Sequence, residues 1–195
     1  MMKYLLLILT CFIQQTFAQN MALDPYNLYP KVKFETNKGS IIVELDRVKA
    51  PLTVDNFLTY VVNGEYNNTI FHRIIEDFVV QGGGYDTDLK IKKTNGNIVN
   101  ESGNGLKNIP GTIAMARERE PHSANRQFFF NVGENTNLDP GKSWGYTVFG
   151  LIVEGEEIVA EMAKVKTDFN EELGWEDVPI EQVILVKATL LLEGQ

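Results

Sequence analysis

The chain has 195 residues, of which 44% are apolar and 23% charged, and its formal net charge is −8. This length and composition predict a soluble globular protein with one core. The acidity argues against nucleic acid and anionic membranes as partners, because both need a basic protein surface.

The first 18 residues have the pattern of a secretory signal peptide. Lys3 supplies a positive charge, the apolar run 4–13 is too short to span a bilayer, and Ala18 is a small residue that suits signal peptidase. We therefore expect export and a mature chain that starts at Gln19.

Cysteine is confined to this segment, where Cys11 is the only one in the chain. A lipid-anchored Cys11 is an alternative, although Thr10 is a poor residue before a lipidated cysteine. Without Cys11, the mature chain can form neither a disulfide nor a zinc–thiolate site. We expect no metal and no cofactor.

A short, poorly ordered lead-in is predicted for residues 19–30, followed by a single domain over 31–193. Two alternating runs around the Asn37-Lys38-Gly39 turn predict a β-hairpin. Residues 51–63 predict a helix, because their apolar residues recur at the 3.6-residue helical spacing and Gly64 follows them.

The remaining pattern is dominated by short strands. After a strand-like segment at 69–81 and a polar loop at 85–108, strands are predicted at 111–116, 127–132, 146–153 and 180–192, with a second helix at 156–165. Turns are frequent and no βαβ alternation is visible. We count seven or eight strands and expect a mainly β fold, a closed eight-stranded antiparallel β-barrel capped by two α-helices.

One arginine, one phenylalanine and one glutamine stand out in the apolar segment 69–81. In an unbroken strand Arg73 and Gln81 share a face, and a break at Glu76-Asp77 would bring Phe78 alongside them. Such a site can hold a peptide and polarise an amide. It cannot attack the amide, because neither polar side chain is a nucleophile.

This segment also carries a family resemblance. Phe71-His72-Arg73-Ile74-Ile75, followed by Phe78 and Gln81-Gly82-Gly83, resembles the signature of the cyclophilin-type peptidyl-prolyl cis-trans isomerases. Later blocks resemble that family in the same order: Gly111-Thr112-Ile113-Ala114-Met115-Ala116, Gln127-Phe128-Phe129, Leu138-Asp139 and Val148-Phe149-Gly150. The resemblance covers residues 32–191 and is closest to bacterial exported members, which implies a cyclophilin-like barrel and a periplasmic location.

The resemblance also implies residue roles. Arg73 would donate a hydrogen bond to the nitrogen of the substrate proline, and Gln81 would hold Arg73 and contact the substrate backbone. The other positions that match the family's substrate site are Phe78, Val79, Phe129 and Leu138 in the pocket wall, Met115 and Ala116 in its floor, and Arg117, Gln127 and Tyr146 around it.

Three departures from the family pattern concern specificity. Asn137 stands where a tryptophan often contacts cyclosporin, so we expect weak cyclosporin binding. Tyr146 replaces a frequent histidine. The segment Ser123-Ala124-Asn125-Arg126 replaces the usual residues before the glutamine, so preferences ahead of proline can differ.

Alternatives remain open at this point. Arg73 could be the ion-pair partner of Glu76 or Asp77, and Phe78 and Phe129 could be ordinary core residues. His72 resembles a general base, but isomerisation needs no proton transfer, and we interpret it as structural.

Two other function classes also remain open: a peptide-binding module without catalysis, and a hydrolase using His122-Ser123. The favoured function is a monomeric prolyl isomerase that assists the folding of exported, proline-containing polypeptides. It would bind neither nucleic acid nor membranes.

Overall fold

The computed structural model describes residues 26–191, so the predicted signal peptide and most of the lead-in lie outside the described residues. Strands β1 to β11 cover, in order, Lys31–Thr36, Gly39–Leu45, Thr69–Phe71, Arg73–Ile75, Val79–Gly82, Thr112–Met115, Phe128–Asn131, Val148–Glu154, Thr167–Asn170, Trp175–Pro179 and Val183–Leu191. Helices α1 and α2 cover Pro51–Val62 and Glu156–Met162, and 3-10 turns cover Ser102–Asn104 and Thr136–Leu138.

Nine of the described strands form one antiparallel sheet, in the order β3-β11-β1-β2-β8-β6-β7-β5-β4. The prediction of eight strands is wrong, because the segment expected to start one strand at residue 69 is divided at His72. Its first half pairs with β11 and its second half pairs with β5. The two halves are therefore the two edges of the sheet, and the chain joins them through one residue. This connection nearly closes the barrel.

The first hairpin shows how the sequence pattern selects the inner face. β1 pairs with β2 from Lys31–Glu44 to Thr36–Gly39, as the alternating runs predict. Val32 and Phe34 are fully buried, whereas their neighbour Lys31 is exposed. Since successive residues of a strand point to opposite faces, this alternation fixes which side of the hairpin faces the barrel interior.

The first predicted helix is confirmed and its start is capped from a distant loop. Pro51 begins α1, where its missing N–H costs no helical hydrogen bond. The Glu101 carboxylate accepts hydrogen bonds from the backbone N–H groups of Leu52 and Thr53, at 3.2 and 2.8 Å. This contact ties the long polar loop to the helix. The second helix ends at Met162, three residues earlier than predicted.

Aromatic side chains fill the barrel interior. The fully buried rings include Phe34, Phe57, Phe71, Phe128, Phe130 and Phe149. Phe57 of α1 lies 5.2 Å from Phe149 and 5.5 Å from Phe128 between ring centroids, so the helix closes the barrel with an aromatic plug. Burial of each such ring contributes roughly 1.5–3 kcal/mol.

A second hairpin, β9–β10, lies outside the nine-stranded sheet and was not predicted. Its sequence is rich in acidic residues and carries few of the β-branched residues that mark strands. The turn is closed instead by Asn170, whose side-chain oxygen accepts the N–H of Leu173, with Gly174 at a φ of +67°. Trp175 is the first residue of β10 and lines a cleft on the outside of the barrel.

Residues 26–191 show neither a membrane-spanning helix nor a metal-binding cluster. None of the helices in this part of the chain is long and apolar enough to cross a membrane. The same residues contain no cluster of three histidine, cysteine or acidic side chains that could hold a metal ion.

Candidate active site

The β4–β5 hairpin presents the polar residues of the signature on the outer face of the barrel. Arg73 is directly opposite Gln81, and Ile74 is opposite Val80. Ile74 and Val80 are buried in the core, so the alternation of the strands points Arg73 and Gln81 outward. The predicted break at residues 76–77 is a tight turn in which Asp77 has a φ of +57°.

Strand β7 continues this outer face. Phe129 pairs with Gln81 of β5 on one side and with Ala114 of β6 on the other. A small apolar cluster forms on this outer face, separate from the barrel core, and it contains Val79, Ala114, Phe129 and Val148. Phe129 is only 3% exposed although it lies outside the barrel. The cluster gives the face an apolar floor beside the two polar side chains.

A cleft of about 270 Å³ opens above this floor. We call it the first cleft, and it is lined by Arg73, Phe78, Val79, Gln81, Ala116, Arg117, Phe129, Leu138 and Tyr146. Nine of the eleven residues predicted for the site therefore meet in one cavity. Met115 is instead buried in the barrel core, and Gln127 lines a neighbouring cleft.

Amides orient the guanidinium of the first cleft. Nη1 of Arg73 donates to Oε1 of Gln81 at 3.4 Å, and Nε2 of Gln81 donates to Oε1 of Gln127 at 3.0 Å. Within residues 26–191 no carboxylate pairs with Arg73 at 4.0 Å or less. The alternative of an ion pair with Glu76 or Asp77 is therefore absent, and Arg73 lines the cleft with a single amide as its side-chain partner.

The opposite wall of the first cleft is a stack of three side chains. The Arg117 guanidinium lies 4.5 Å from the centre of the Tyr146 ring, and that ring lies 5.9 Å from Phe129 in an edge-on arrangement. Arg117 also donates to the carbonyls of Trp144 and Gly145, at 2.6 and 3.0 Å. Its Nη1 donates in addition to the carbonyls of Glu118 and Arg119, at 2.9 and 3.3 Å. Because all three guanidinium nitrogens are engaged, Arg117 acts here as a fixed wall.

A network of asparagines supports this cleft from below, and sequence reasoning missed it. Asn135 donates to the carbonyl of Phe78 at 2.8 Å and to Oδ1 of Asn131 at 2.7 Å. Asn131 in turn donates to Oδ1 of Asn108, at 3.2 Å, and Asn108 donates to the Tyr146 carbonyl, at 3.3 Å. The three amides link both walls of the cleft, and nothing in a single sequence marks them as partners.

Asp139 extends this network beside the cleft residue Leu138. Its Oδ1 accepts the backbone and side-chain N–H groups of Asn108 at 2.9 and 3.1 Å, and Lys107 lies 3.4 Å from its other oxygen. Burial acts to raise the pKa of Asp139, but the Asn108 bonds and Lys107 outweigh it, so the pKa is lowered. The charged carboxylate therefore anchors the loop that carries Leu138.

A second cleft of about 270 Å³ adjoins the first. Its lining consists of Gln81, Tyr85, Ile91, Ala116, Arg117, Glu118, Ser123, Asn125, Gln127 and Trp175. Three residues, Gln81, Ala116 and Arg117, line both clefts. Gly84 makes room for the amide of Gln127, because a Cβ at that position would lie 2.6 Å from Cδ of Gln127. Of these, Gln127 and the three shared residues were predicted for the site, and Ser123 and Asn125 belong to the segment predicted to affect preferences ahead of proline.

His72 lies beneath the second cleft. It is fully buried, and its ring packs 4.8 Å from Tyr85 and 5.3 Å from Trp175. Neither ring nitrogen has a hydrogen-bond partner of good geometry, although the Ile70 backbone and the Gln127 side chain lie nearby. Burial, helped by the Arg73 charge, lowers the pKa of His72 to about 4. The imidazole is neutral at pH 7 and has no access to a substrate.

The other predicted alternatives lack the geometry that they need. Oγ of Ser123 donates to the Glu120 carbonyl at 2.6 Å, and Nδ1 of His122 accepts the N–H of Asn100 at 3.1 Å. The two side chains are thus engaged elsewhere, and no hydrolase dyad is formed.

Asn137, which stands where the family often has a tryptophan, is exposed on its 3-10 turn. The nearby Trp144 packs 5.1 Å from His122 and does not line the first cleft.

Comparison with known proteins identifies this architecture. The model of the family "Cyclophilin type peptidyl-prolyl cis-trans isomerase/CLD" matches residues 31–189. The chain is 48% identical over 164 residues to peptidyl-prolyl cis-trans isomerase B of Escherichia coli, an alignment covering 82% of this chain and 98% of that protein. It is 45% identical over 164 residues to the isomerase cyp18 of Streptomyces antibioticus, with the same coverage.

A solved structure agrees with these sequence matches. The cyclophilin type peptidyl-prolyl cis-trans isomerase of Cryptosporidium parvum, determined in the presence of the dipeptide Ala-Pro, superposes with a TM-score of 0.69 and 25% identity. The match covers 84% of this chain and 99% of the other. Together with the barrel and its outer cleft, these matches show that the chain belongs to the cyclophilin-type peptidyl-prolyl cis-trans isomerases.

Proposed function

We propose that this isomerase binds the substrate proline in the first cleft and accelerates rotation of the preceding amide, with Arg73 as the donor to the proline nitrogen. Support comes from one observation above all: a guanidinium without a carboxylate partner faces an apolar pocket. The apolar walls of Phe78, Phe129 and Leu138 hold the ring while the acyl side of the amide turns.

The energetic demand on this cleft is moderate. An Xaa–Pro amide rotates over a barrier of about 18–20 kcal/mol, in tens to hundreds of seconds. A turnover of about a thousand per second needs about 7 kcal/mol of transition-state stabilisation, because each tenfold gain needs about 1.4 kcal/mol. No covalent bond forms or breaks, so the site has only to bind the twisted amide better than either planar form.

Arg73 can supply part of this difference selectively. Rotation uncouples the proline nitrogen from the carbonyl, so its lone pair becomes a better hydrogen-bond acceptor. A donor aimed at that nitrogen therefore binds the twisted amide more tightly than the planar ones. Arginine keeps its charge at any physiological pH, and the Gln81 amide limits the directions in which its planar donors point.

The direct test measures isomerisation of a peptide with one Xaa-Pro bond by NMR exchange, comparing wild type with Arg73→Ala. We expect Arg73→Ala to lower kcat/KM about 100-fold, the order of loss for one preorganised transition-state donor. Arg119→Ala is the matched control, because Arg119 is exposed and lines neither cleft.

Equal rates for wild type and Arg73→Ala would disprove the role of Arg73, whatever the control does. Proline-peptide binding without any acceleration in wild type would instead favour the non-catalytic peptide-binding module. A control as slow as Arg73→Ala would mean that charge in this region, and not the Arg73 donor, governs the rate.

We assign the residues ahead of proline to the second cleft. Gln81, Ala116 and Arg117 line both cavities, so an extended peptide that leaves the first cleft along this edge enters the second. A series of peptides that differ only in the residues ahead of proline tests this. Substitutions at Ile91 or Trp175 should change the order of preference in that series, and an unchanged order would contradict the assignment.

The physiological role that we propose is the folding of exported polypeptides by a periplasmic monomer. The support is the signal-peptide pattern of residues 1–18. Mass spectrometry of the protein from the extracytoplasmic fraction should find Gln19 as the first residue, and light scattering should give the mass of one chain. An uncleaved cytoplasmic chain would contradict export.

Weak cyclosporin binding is a further part of the proposal. The exposed Asn137 cannot offer the aromatic surface that a tryptophan would supply. Asn137→Trp should tighten cyclosporin inhibition about tenfold, as one added aromatic contact of about 1.4 kcal/mol predicts. Equal inhibition constants for the two proteins would remove Asn137 from the explanation.

A further inference from the structure

Arg126 is a buried arginine without an acidic partner. Its side chain is 1% exposed, and within residues 26–191 no carboxylate pairs with it at 4.0 Å or less. A buried charge is costly unless hydrogen bonds and dipoles replace its hydration. Whatever offsets that cost must therefore be provided by uncharged groups around the guanidinium.

Three backbone carbonyls provide this replacement, and each belongs to a different segment. Nε donates to the carbonyl of Gly83 at 2.7 Å, Nη1 to that of Lys93 at 2.6 Å and Nη2 to that of Glu65 at 2.8 Å. The guanidinium therefore ties together the chain after α1, the end of β5 and the long polar loop. A planar fork with several fixed donors suits such a junction, and no other side chain has one.

Aromatic rings complete the surroundings. The guanidinium carbon lies 5.0 Å from the ring centre of Tyr60 and 5.6 Å from that of Tyr66. The Tyr66 hydroxyl donates to the Arg126 carbonyl at 2.7 Å, so the backbone of Arg126 is fixed as well. Side chain and main chain are thus both held at this position.

Two of the three tied segments, those of Gly83 and Lys93, adjoin residues of the second cleft. Gly83 precedes Gly84, which packs against the amide of Gln127, and the carbonyl of Gly84 accepts the N–H of Lys92 at 2.9 Å. Lys92 follows Ile91, which lines the cleft. Gln127 follows Arg126 directly. Its amide accepts a hydrogen bond from Gln81, which in turn accepts one from Arg73. The buried fork therefore lies beneath the residues that set the width of this cleft.

We propose that Arg126 is a positioning residue, whose three-carbonyl fork holds Gln127 and the Gly84–Ile91 rim in place so that the second cleft accepts the peptide ahead of proline. The inference rests on the proposed function, because it assumes that this peptide segment enters the second cleft. Arg126 itself touches no substrate. Its loss loosens the second cleft and leaves the apolar walls of the first cleft intact.

The experiment compares two substrates in NMR exchange, well below the melting temperature of every variant. One is acetyl-Ala-Pro-amide, which reaches only the first cleft, and the other carries three additional residues ahead of Ala-Pro. The quantity of interest is the ratio of their kcat/KM values, long over short. General loss of folded protein lowers both rates equally and leaves this ratio unchanged.

Arg126→Met keeps much of the bulk of the side chain but removes all three donors. We expect it to lower the long-to-short ratio about fivefold, mainly through KM, which corresponds to roughly one lost hydrogen bond of binding. The matched control is Arg47→Met. Arg47 is also buried and donates to the carbonyl of Asn27 at 2.6 Å and, unlike Arg126, to a carboxylate, that of Asp55, at 2.9 Å, but it lines neither cleft. The control should keep the wild-type ratio.

A wild-type ratio in Arg126→Met, or an equal fall in Arg47→Met, would overturn the proposal. If Arg126→Met does not fold, Arg126→Lys decides, because a single ammonium cannot reach three separate carbonyls as the fork does. We expect the ratio to fall two- to threefold in Arg126→Lys, about half a hydrogen bond. A wild-type ratio there would refute the need for the fork, whereas a wild type inactive on both peptides would refute the proposed function as well.

Discussion

The two clefts are similar in volume and share one edge, but the side chains that line them differ in polarity. The first cleft is lined mostly by apolar side chains and is backed by uncharged amides, Asn108, Asn131 and Asn135. The second is lined mostly by polar side chains and is backed by a buried charge on Arg126 and a buried, unpaired imidazole on His72.

This difference suggests a division of tasks. An apolar pocket on a fully satisfied amide network has one arrangement, and it suits a ring that is the same in every substrate. A polar cleft with exposed side chains such as Ile91, on a long loop, can accept varied residues. On the proposed function, the rate would therefore depend on the first cleft and the selectivity on the second.

The largest effect should come from the wall of the first cleft. Phe129→Ala removes a ring that is 3% exposed and should lower the free energy of unfolding by about 3–5 kcal/mol. Trp175→Ala, which truncates the half-buried ring of the second cleft, should lower it less. Urea unfolding at pH 7 measures both. Equal losses would contradict the contrast between the two clefts.

Acid should lower the free energy of unfolding through His72, which lies beneath the second cleft. The pKa of His72 falls from 6.5 to about 4 in the folded protein, so between these values the unfolded chain binds a proton that the folded chain excludes. Above pH 6.5 His72 is neutral in both states and costs no stability. As the pH falls towards 4, protonation of the unfolded chain lowers the free energy of unfolding.

We expect wild type to lose about 3 kcal/mol more between pH 7 and pH 4 than His72→Phe, which cannot bind that proton. Urea unfolding at both pH values gives the difference, and the carboxylates common to both proteins cancel. Parallel losses in the two proteins would show that His72 is not the group responsible.

An intermediate effect is expected from the amide network. Asn135→Ala removes the donor to the Phe78 carbonyl and leaves Oδ1 of the buried Asn131 without that partner. The expected cost is about 1–3 kcal/mol of unfolding free energy. Because the network supports the first cleft, kcat/KM should fall by the same factor for short and long peptides. A selective loss for the long peptide would contradict this placement.

The smallest effect should come from Gln127, at the end of the amide chain. Gln127→Ala removes the acceptor for Gln81 and one wall of the second cleft. Its kcat/KM should fall about fivefold for the long peptide and less than about twofold for the short one, since roughly one hydrogen bond is lost. Gln182→Ala is a control, as Gln182 bonds the Thr87 carbonyl and lines neither cleft. Equal losses on both peptides would assign Gln127 to the first cleft.

Sequence reasoning predicted local features well and connections poorly. The first hairpin and helix α1 follow from alternation and helical spacing, and both are confirmed. The break at Glu76-Asp77 was predicted from these two polar residues and is also confirmed, as the turn of the β4–β5 hairpin. The division at His72 was missed, because an apolar run looks the same whether its two halves pair with one neighbour or with two.

The candidate site shows the same limit. Residues that match motif blocks could be assigned to a pocket from the sequence, and nine of the eleven line one cleft. Trp175 and Tyr85 escaped notice, because each is a single aromatic residue in an unremarkable segment and becomes a wall only after distant segments meet. Arg126 was noticed only as a departure from the family pattern, since its three partners are backbone carbonyls that no side-chain pattern records.

The sequence by itself determined the alternation of buried and exposed residues, the helix α1 and the identity of the groups that can polarise an amide. These depend on neighbours in the chain, through the two- and 3.6-residue periods. Only the tertiary structure decided that His72 joins the two edges of the barrel, that Met115 turns inward and that Arg126 lies beneath the second cleft. Those outcomes depend on packing between segments far apart in the chain, such as Thr69 and Leu185 of the β3–β11 pair or Glu65 and Arg126, where burial and carbonyl geometry outweigh local preference.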